Sequence, residues 1–305
     1  MRLLCALGLF LALLHVTSCL LIGAFNIRCF GTGKFDKPEA IKIITEIVQR
    51  YDIILIQEVR CNHDLSVPDK LLALVNKGTT EFSYNSSEPL PLGSGSYRER
   101  YLFLYRDQTV TVTDSFQYDG KGFMRPPFVV KFSSTQTAVK EFVLIPIHTQ
   151  PGNAVEELNA LVDVVAAAKL KWTNNNIMVL GDFNADGTYV TAKDWKNIRL
   201  FTNKNFHWLI ANGVDTTVAA LSSNTYDRIV VTTEMNNGVV KGSAKVFNFK
   251  INYGLTQAQA EDVSDHFPVE VRLEPEVELK VDPPGKAIKR PHSDGPSKDT
   301  KRIRP

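Results

Sequence analysis

Apolar residues run along this chain in short unbroken stretches that alternate with helical stripes. Leu20 to Phe25 reads as a first strand. From Pro38 to Tyr51 the apolar positions Ile41, Ile44, Ile47, Val48 and Tyr51 follow helical spacing, and Ile53 to Ile56 then reads as a buried strand. Leu102–Tyr105 and Val110–Val112 suggest two strands paired across Asp107. Phe142–Ile147 is a further buried strand, and Ala154–Trp172 is a helix with Leu158, Leu161, Val162 and Val165 on one stripe. Strand-like runs follow at Ile177–Leu180, Tyr226–Val231, Ala244–Phe249 and Val269–Leu273. Alternating strands and helices with strand pairs between them predict mixed sheets covered by helices. No internal repeat is present.

The two ends depart from this pattern. Arg2, the apolar stretch Leu3–Leu14 and the small polar region up to Cys19 have the three-part layout of a secretory signal peptide, too short to span a bilayer. The expectation is therefore a leader over residues 1–19 and a secreted protein with no membrane anchor. Beyond Glu278, residues 279–305 are rich in Pro, Gly, Lys and Arg and nearly devoid of apolar side chains, the composition of a flexible tail. The formal charge of +2 hides an asymmetry. Residues 283–305 carry +5, whereas residues 3–282 sum to −4. The body cannot hold a polyanion by net charge; it needs local arginines, with the tail supplying non-specific attraction.

The chemistry sits where strand-like runs end. Gly181-Asp182-Phe183-Asn184-Ala185-Asp186 follows Ile177–Leu180, and Ser264-Asp265-His266-Phe267-Pro268 precedes Val269–Leu273. Oxygen ligands beside an imidazole suit a hard divalent cation and a proton carrier acting on one phosphodiester. Five more stretches complete the set: Phe25-Asn26-Ile27-Arg28, Gln57-Glu58-Val59-Arg60, Ser96 to Tyr101, Ile147-His148-Thr149 and Tyr226-Asp227-Arg228. In this order, over residues 20–275, they resemble the endonuclease/exonuclease/phosphatase superfamily and within it the secreted deoxyribonuclease I family. The basic tail makes the DNase gamma branch the nearest in layout.

The resemblance implies an α/β fold of two mixed β-sheets packed face to face with helices on the outer faces, a four-layer sandwich with the site where both sheets end. It implies that Glu58 is the principal metal carboxylate, with Asn26, Asp182, Asn184 and Asp265 completing or orienting metal and phosphate oxygens. Mg²⁺ or Mn²⁺ is expected there, and Ca²⁺ elsewhere. It pairs His148 with Glu99 and His266 with Asp227; a carboxylate behind an imidazole fixes its tautomer and raises its pKa. The expected reaction is endonucleolytic cleavage leaving 5′-phosphate and 3′-hydroxyl ends. Arg28, Arg60, Tyr97, Arg125, Tyr189 and Tyr226 are the expected contacts to double-stranded DNA.

Several departures from the family pattern stand out. A cysteine pair of the family is replaced by Gly187 and Asn224. The loop Tyr118–Arg125 lacks the acids of one structural calcium site; a second site around Asp215 and Thr217 is thinned by Ala219 and Leu221. Leu92–Ser96 replaces a stretch that normally presents an arginine and an asparagine to DNA. Cys29 and Cys61 are the cysteines left after removal of a leader, and an even pair in an oxidising compartment predicts a bridge between them, two free thiols being the alternative. Asn85-Ser86-Ser87 is a glycosylation sequon in a secreted chain. Together with Phe128 it predicts weak actin binding. A monomer acting on DNA and chromatin is expected, nuclear entry through the tail being secondary. The competing classes are another hydrolase of the superfamily, such as a sphingomyelinase or inositol phosphatase, and a non-enzymatic DNA-binding protein. The Tyr97 motif and the Arg28/Arg60 pair argue against the first, and the full set of proton-transfer residues against the second.

Overall fold

The computed structural model describes residues 19–60, 65–77, 79, 81–88 and 98–276. The expected leader, the tail, Cys61 and Tyr97 lie outside them. Among the described residues, twelve strands form: β1 Leu20–Phe30, β2 Ile53–Val59, β3 Tyr84–Ser87, β4 Arg100–Arg106, β5 Thr111–Gln117 and β6 Phe128–Ser133, then β7 Glu141–His148, β8 Ile177–Asp182, β9 Phe206–Trp208, β10 Asp227–Thr232, β11 Lys245–Val246 and β12 Val269–Leu273. They divide into two six-stranded sheets, ordered β11-β12-β1-β2-β4-β3 and β5-β6-β7-β8-β10-β9.

Alternate residues of the central strands serve two cores. Ile22, Ala24, Leu55, Phe103, Leu144, Met178, Leu180, Ile229 and Val271 fill the space between the sheets. The opposite faces bury Phe25, Ile54, Ile56 and Leu102 under helices α1 (Pro38–Gln49) and α2 (Ser66–Lys77), and Val143, Ile145, Val179 and Val230 under α3 (Ala154–Trp172). Strands buried on both faces read as continuous apolar runs, which is why β2, β7 and β8 were legible. Truncating one such residue, Leu180→Ala for example, costs about 2–5 kcal/mol. The expected four layers are present. Among the described residues no helix is long and apolar enough to cross a membrane.

The topology sets the site. Each sheet holds one parallel pair at its centre, β1 with β2 and β7 with β8. Each pair is flanked by antiparallel strands: β12 and β4 in the first sheet, β6 and β10 in the second. Carboxyl ends of the parallel strands therefore meet amino ends of antiparallel neighbours at one edge. That edge gathers Asn26, Glu58, His148 and Asp182 with residues 264–266, Glu99 and Asp227.

Two expectations are corrected. Leu102–Tyr105 and Val110–Val112 do not pair across Asp107: β4 lies between β2 and β3, whereas β5 pairs with β6 in the other sheet. Both edges of β4 are taken, so the turn held by Thr109 and Val110 N–H donating to the Arg106 carbonyl carries the chain across instead. The strand expected over Ala244–Phe249 shrinks to Lys245–Val246, because Asn248 caps a short helix, Phe249–Asn252, by accepting from Ile251 N–H at 2.9 Å.

Candidate active site

Two imidazoles face each other across the seam between the sheets. His148 closes β7, and its Nδ1 lies 2.6 Å from Glu99 Oε1. His266 precedes β12, and its Nδ1 lies 2.7 Å from Asp227 Oδ2. Both Nε2 atoms point to one oxygen, Asp182 Oδ2, at 3.6 and 3.7 Å. The pairings implied by the resemblance are thus formed, and the two pairs converge on a single carboxylate.

Burial disfavours charge on these groups, yet their partners outweigh it. His266 is pushed up to about 10 because Asp227 and Asp182 overcome desolvation. His148 is likewise raised, against desolvation, by the charge and hydrogen bond of Glu99. Desolvation works on Asp182 too, but the two imidazoles and donors from Asn184 and Asn26 hold it below the usual carboxylate range. Asp227 goes the other way: desolvation, with Asp182 nearby, raises it.

The oxygen ligands gather around the same atom. Asn26 Nδ2 donates to Asp182 Oδ2 at 3.0 Å, and Asn184 N–H donates to Asp182 Oδ1 at 2.9 Å. Asn26 Oδ1 and Asp265 Oδ1 are buried with no hydrogen-bond partner among the described residues. Glu58 accepts from Cys29 N–H at 2.9 Å and lies 3.4 Å from Arg60 Nη2. An all-oxygen set with unspent buried acceptors fits a hard divalent cation. Asp182, Asp227 and His266 also offer atoms within 4.8 Å of one another, close enough to hold a metal. Three non-glycine residues here have left-handed backbones: Cys29 at φ 52°, Glu58 at 57° and Asn184 at 46°. Such conformations cost about 1–3 kcal/mol each and concentrate at functional sites.

The expected DNA contacts divide. Arg28 is exposed, 3.7 Å from Asp265, and Arg60 adjoins Glu58. Tyr189 and Tyr226 pack at 5.6 Å between ring centroids, with Tyr226 6.1 Å from the His266 ring. Arg125 does not join them. It is 6% exposed, its Nε lies 2.9 Å from both Glu99 Oε1 and the His148 carbonyl, and its Nη2 donates to the Thr149 carbonyl at 2.8 Å. A guanidinium so engaged has turned inward to brace the Glu99–His148 pair. Asp215 and Thr217 lie together, but Asp215 Oδ1 already accepts from Thr217 N–H and Oγ1 and from Asn224 N–H. They border a cavity of about 510 Å³ that also includes Leu221 and Gln257. Asn85 is exposed on β3, one of the two edge strands of its sheet among the described residues.

Several supporting residues escaped sequence reading. Gln57, fully buried, donates to the Ile147 carbonyl at 2.6 Å and accepts from Asp182 N–H at 3.0 Å, tying the two sheets together beneath the site. Gly181, at φ +128°, leaves the space it needs: a Cβ there would sit 2.3 Å from the Ile147 carbonyl oxygen. Ser264 Oγ donates to the Asn26 carbonyl at 2.6 Å and accepts from the backbone N–H of Arg28 and His266. An uncharged polar residue breaking the apolar run Ile53–Ile56 ahead of Glu58 was the available signal for Gln57.

Comparison with known proteins agrees with this geometry. Residues 23–266 match the Endonuclease/Exonuclease/phosphatase family. The chain is 47% identical over 279 residues to Deoxyribonuclease-1 of Bos taurus, covering 87% of this chain and 97% of that one. It is 41% identical over 278 residues to Deoxyribonuclease gamma of Mus musculus, covering 89% and 90%. Among solved structures, an endonuclease/exonuclease/phosphatase from Bacteroides vulgatus superposes with a TM-score of 0.57 at 17% identity, over 85% of this chain and all of that one. The human Nocturnin catalytic domain superposes with a TM-score of 0.56 at 14% identity, over 85% and 95%. With the sandwich, the two carboxylate–imidazole pairs and this extent of identity, the chain belongs to the endonuclease/exonuclease/phosphatase family and, within it, to the deoxyribonuclease I family.

Proposed function

We propose that this protein is a secreted, divalent-metal-dependent endonuclease that hydrolyses DNA phosphodiester bonds to 5′-phosphate and 3′-hydroxyl ends. The observation that carries the reading is the convergence of His148 and His266 on Asp182 Oδ2, each imidazole backed by its own carboxylate. Phosphodiester hydrolysis needs one proton removed from water and one returned to the leaving oxygen. Two imidazoles aimed at a common point from opposite sheets supply that pair. One accepts while the other donates, and Glu99 and Asp227 hold both rings in the tautomer that leaves Nε2 facing the substrate. Arg125 fixes Glu99, and Gln57 fixes the end of β8 against β7.

Glu58, Asn26 and Asp265 are the residues proposed to hold Mg²⁺ or Mn²⁺, with Asp182 and Asn184 orienting phosphate oxygens. A bound ion supplies charge neutralisation at the scissile phosphate. Ca²⁺ at the Asp215–Thr217 turn is proposed from its donor chemistry. Arg28 and Arg60 suit flanking phosphates, and the Tyr189–Tyr226 pair a sugar edge. The names of the relatives support DNA as the substrate, and the +5 tail supports attraction to chromatin or lipid-associated DNA. Supercoiled plasmid and sphingomyelin, each incubated with Mg²⁺ and with EDTA, test the reading. Plasmid relaxation in Mg²⁺ alone is expected. Sphingomyelin turnover without DNA cleavage, or full nicking in EDTA, overturns it.

A further inference from the structure

The two loops that adjoin Asp182 and Asp227 are joined by a clamp that the catalytic reading does not use. Asp186 ends the Asp182–Asp186 stretch, and its carboxylate is divided between the loops. Oδ1 accepts from Gly187 N–H and Oδ2 from Thr225 N–H, both at 2.7 Å. The second bond crosses 39 residues of sequence to the backbone two positions before Asp227. Arg228 closes the clamp from beneath. It is fully buried; its Nη2 donates to the Ala185 carbonyl at 2.9 Å, its Nε to the Thr225 carbonyl at 2.8 Å and its Nη1 to the Ile210 carbonyl at 3.0 Å. Its Cζ lies 5.6 Å from the ring centroids of both Trp195 and Trp208.

The loops also approach each other at Gly187, where a Cβ would sit 3.1 Å from Asn224 Oδ1. No covalent link is available between a glycine and an asparagine, so non-covalent contacts hold this junction: these hydrogen bonds and the packing of Tyr189 on Tyr226. Thr225 is gripped on both sides, its N–H by Asp186 and its carbonyl by Arg228, and Tyr226 and Asp227 follow at once. Phe183 N–H donates to the Tyr226 carbonyl at 2.9 Å, extending the same seam to the end of β8. A shift at Thr225 therefore moves Asp227, the partner of His266, relative to Asp182.

We propose that Asp186 is a positioning residue, acting with Arg228 as a non-covalent cross-link just beyond the end of the β8–β10 ladder, where Asp227 pairs opposite Asp182, that keeps Asp227 and His266 set against Asp182. The proposal rests on the nuclease reading for its assay. Failure of that reading shows as an inactive wild-type protein, before any variant is made.

The test is Asp186→Ala, with Asp186→Asn as the milder change, followed by the same substitution in a G187C/N224C background. A misplacement of about 1 Å costs about 10²-fold in rate. D186A is therefore expected to lose roughly 10- to 100-fold in kcat for plasmid nicking with KM within about twofold. Oxidising the triple variant D186A/G187C/N224C, with the bridge confirmed by peptide mapping, should recover at least about tenfold of the lost kcat, and dithiothreitol should remove the recovery. Two results overturn the proposal: D186A or D186N with kcat within twofold of wild type well below its melting temperature, or a cross-linked triple variant that regains thermal stability without regaining kcat. If D186A alone does not fold, the oxidised triple variant and D186N decide between the same outcomes.

Discussion

Replacing Arg125 separates an internal brace from a surface contact to DNA. Its guanidinium is buried against Glu99, itself buried and bound to His148, and against the carbonyls of His148 and Thr149. Arg125→Ala leaves Glu99 with His148 as its remaining charged partner and strips two buried carbonyls of donors. Breaking a buried pair by removing one member costs about 3–5 kcal/mol. At about 2–4 °C per kcal/mol for domains of 150–250 residues, the melting temperature should fall by about 6–20 °C. The kinetic loss should lie in kcat, because the imidazole loses the fixed carboxylate that orients it, and should reach about 10²-fold. KM and the salt dependence of DNA binding should stay near wild type. Arg125→Lys keeps the charge but not the planar fork, so it should fall between the two. Thermal melting and steady-state plasmid nicking over a salt titration measure all of this. If Arg125 contacts phosphate instead, R125A melts with wild-type protein, KM rises and the log–log salt slope drops by about one. That result would refute the bracing role.

Other expectations follow from single features of the structure. Gly181→Ala places a Cβ 2.3 Å from the Ile147 carbonyl oxygen at φ +128°, so the variant should be destabilised by at least about 2 kcal/mol and lose most nicking; a melting temperature within 2 °C of wild type would contradict this. His148 and His266 have pKa values raised above their unfolded value of 6.5, so their charged forms contribute stability that is fully present below pH 6.5 and lost as pH rises, for His266 through about 10. In EDTA the melting temperature should therefore fall between pH 6.5 and 10, and H266Q should flatten that fall; an unchanged slope in H266Q argues against the Asp227–His266 pair as its source. Truncation after Glu278 removes the +5 tail and should reduce the log–log salt slope of DNA binding by several units, which a fluorescence anisotropy titration reads directly.

Much of this candidate site was legible because the proposed catalytic groups sit at strand ends, where an apolar run breaks into polar residues. Asp182 after Ile177–Leu180 and Glu58 after Ile53–Ile56 are examples. What escaped was set by contacts distant in sequence. Arg125 reads as a DNA-contacting arginine in a loop, whereas Glu99, which flanks a strand of the other sheet, and the His148 and Thr149 carbonyls turn it inward. β4 and β5 read as a hairpin because they are adjacent, but β2 and β3 already occupy both edges of β4. Helix α2 went unread because its stripe is thin: Val67, Pro68, Leu71 and Val75 are its buried positions. Gln57 gave a faint signal, since its value lies in bridging the Ile147 carbonyl and Asp182 N–H, which only the packed sheets bring together.

The central claim is that His148 and His266 act on one phosphodiester from opposite sides. The most direct measurement is the nicking rate of supercoiled plasmid in Mg²⁺ for His148→Ala and His266→Ala, each verified as folded by its melting curve. The geometry predicts that each single variant loses at least about 10²-fold, the lower bound for general acid–base catalysis, while still binding duplex DNA. A folded H266A or H148A enzyme within tenfold of wild type would contradict it.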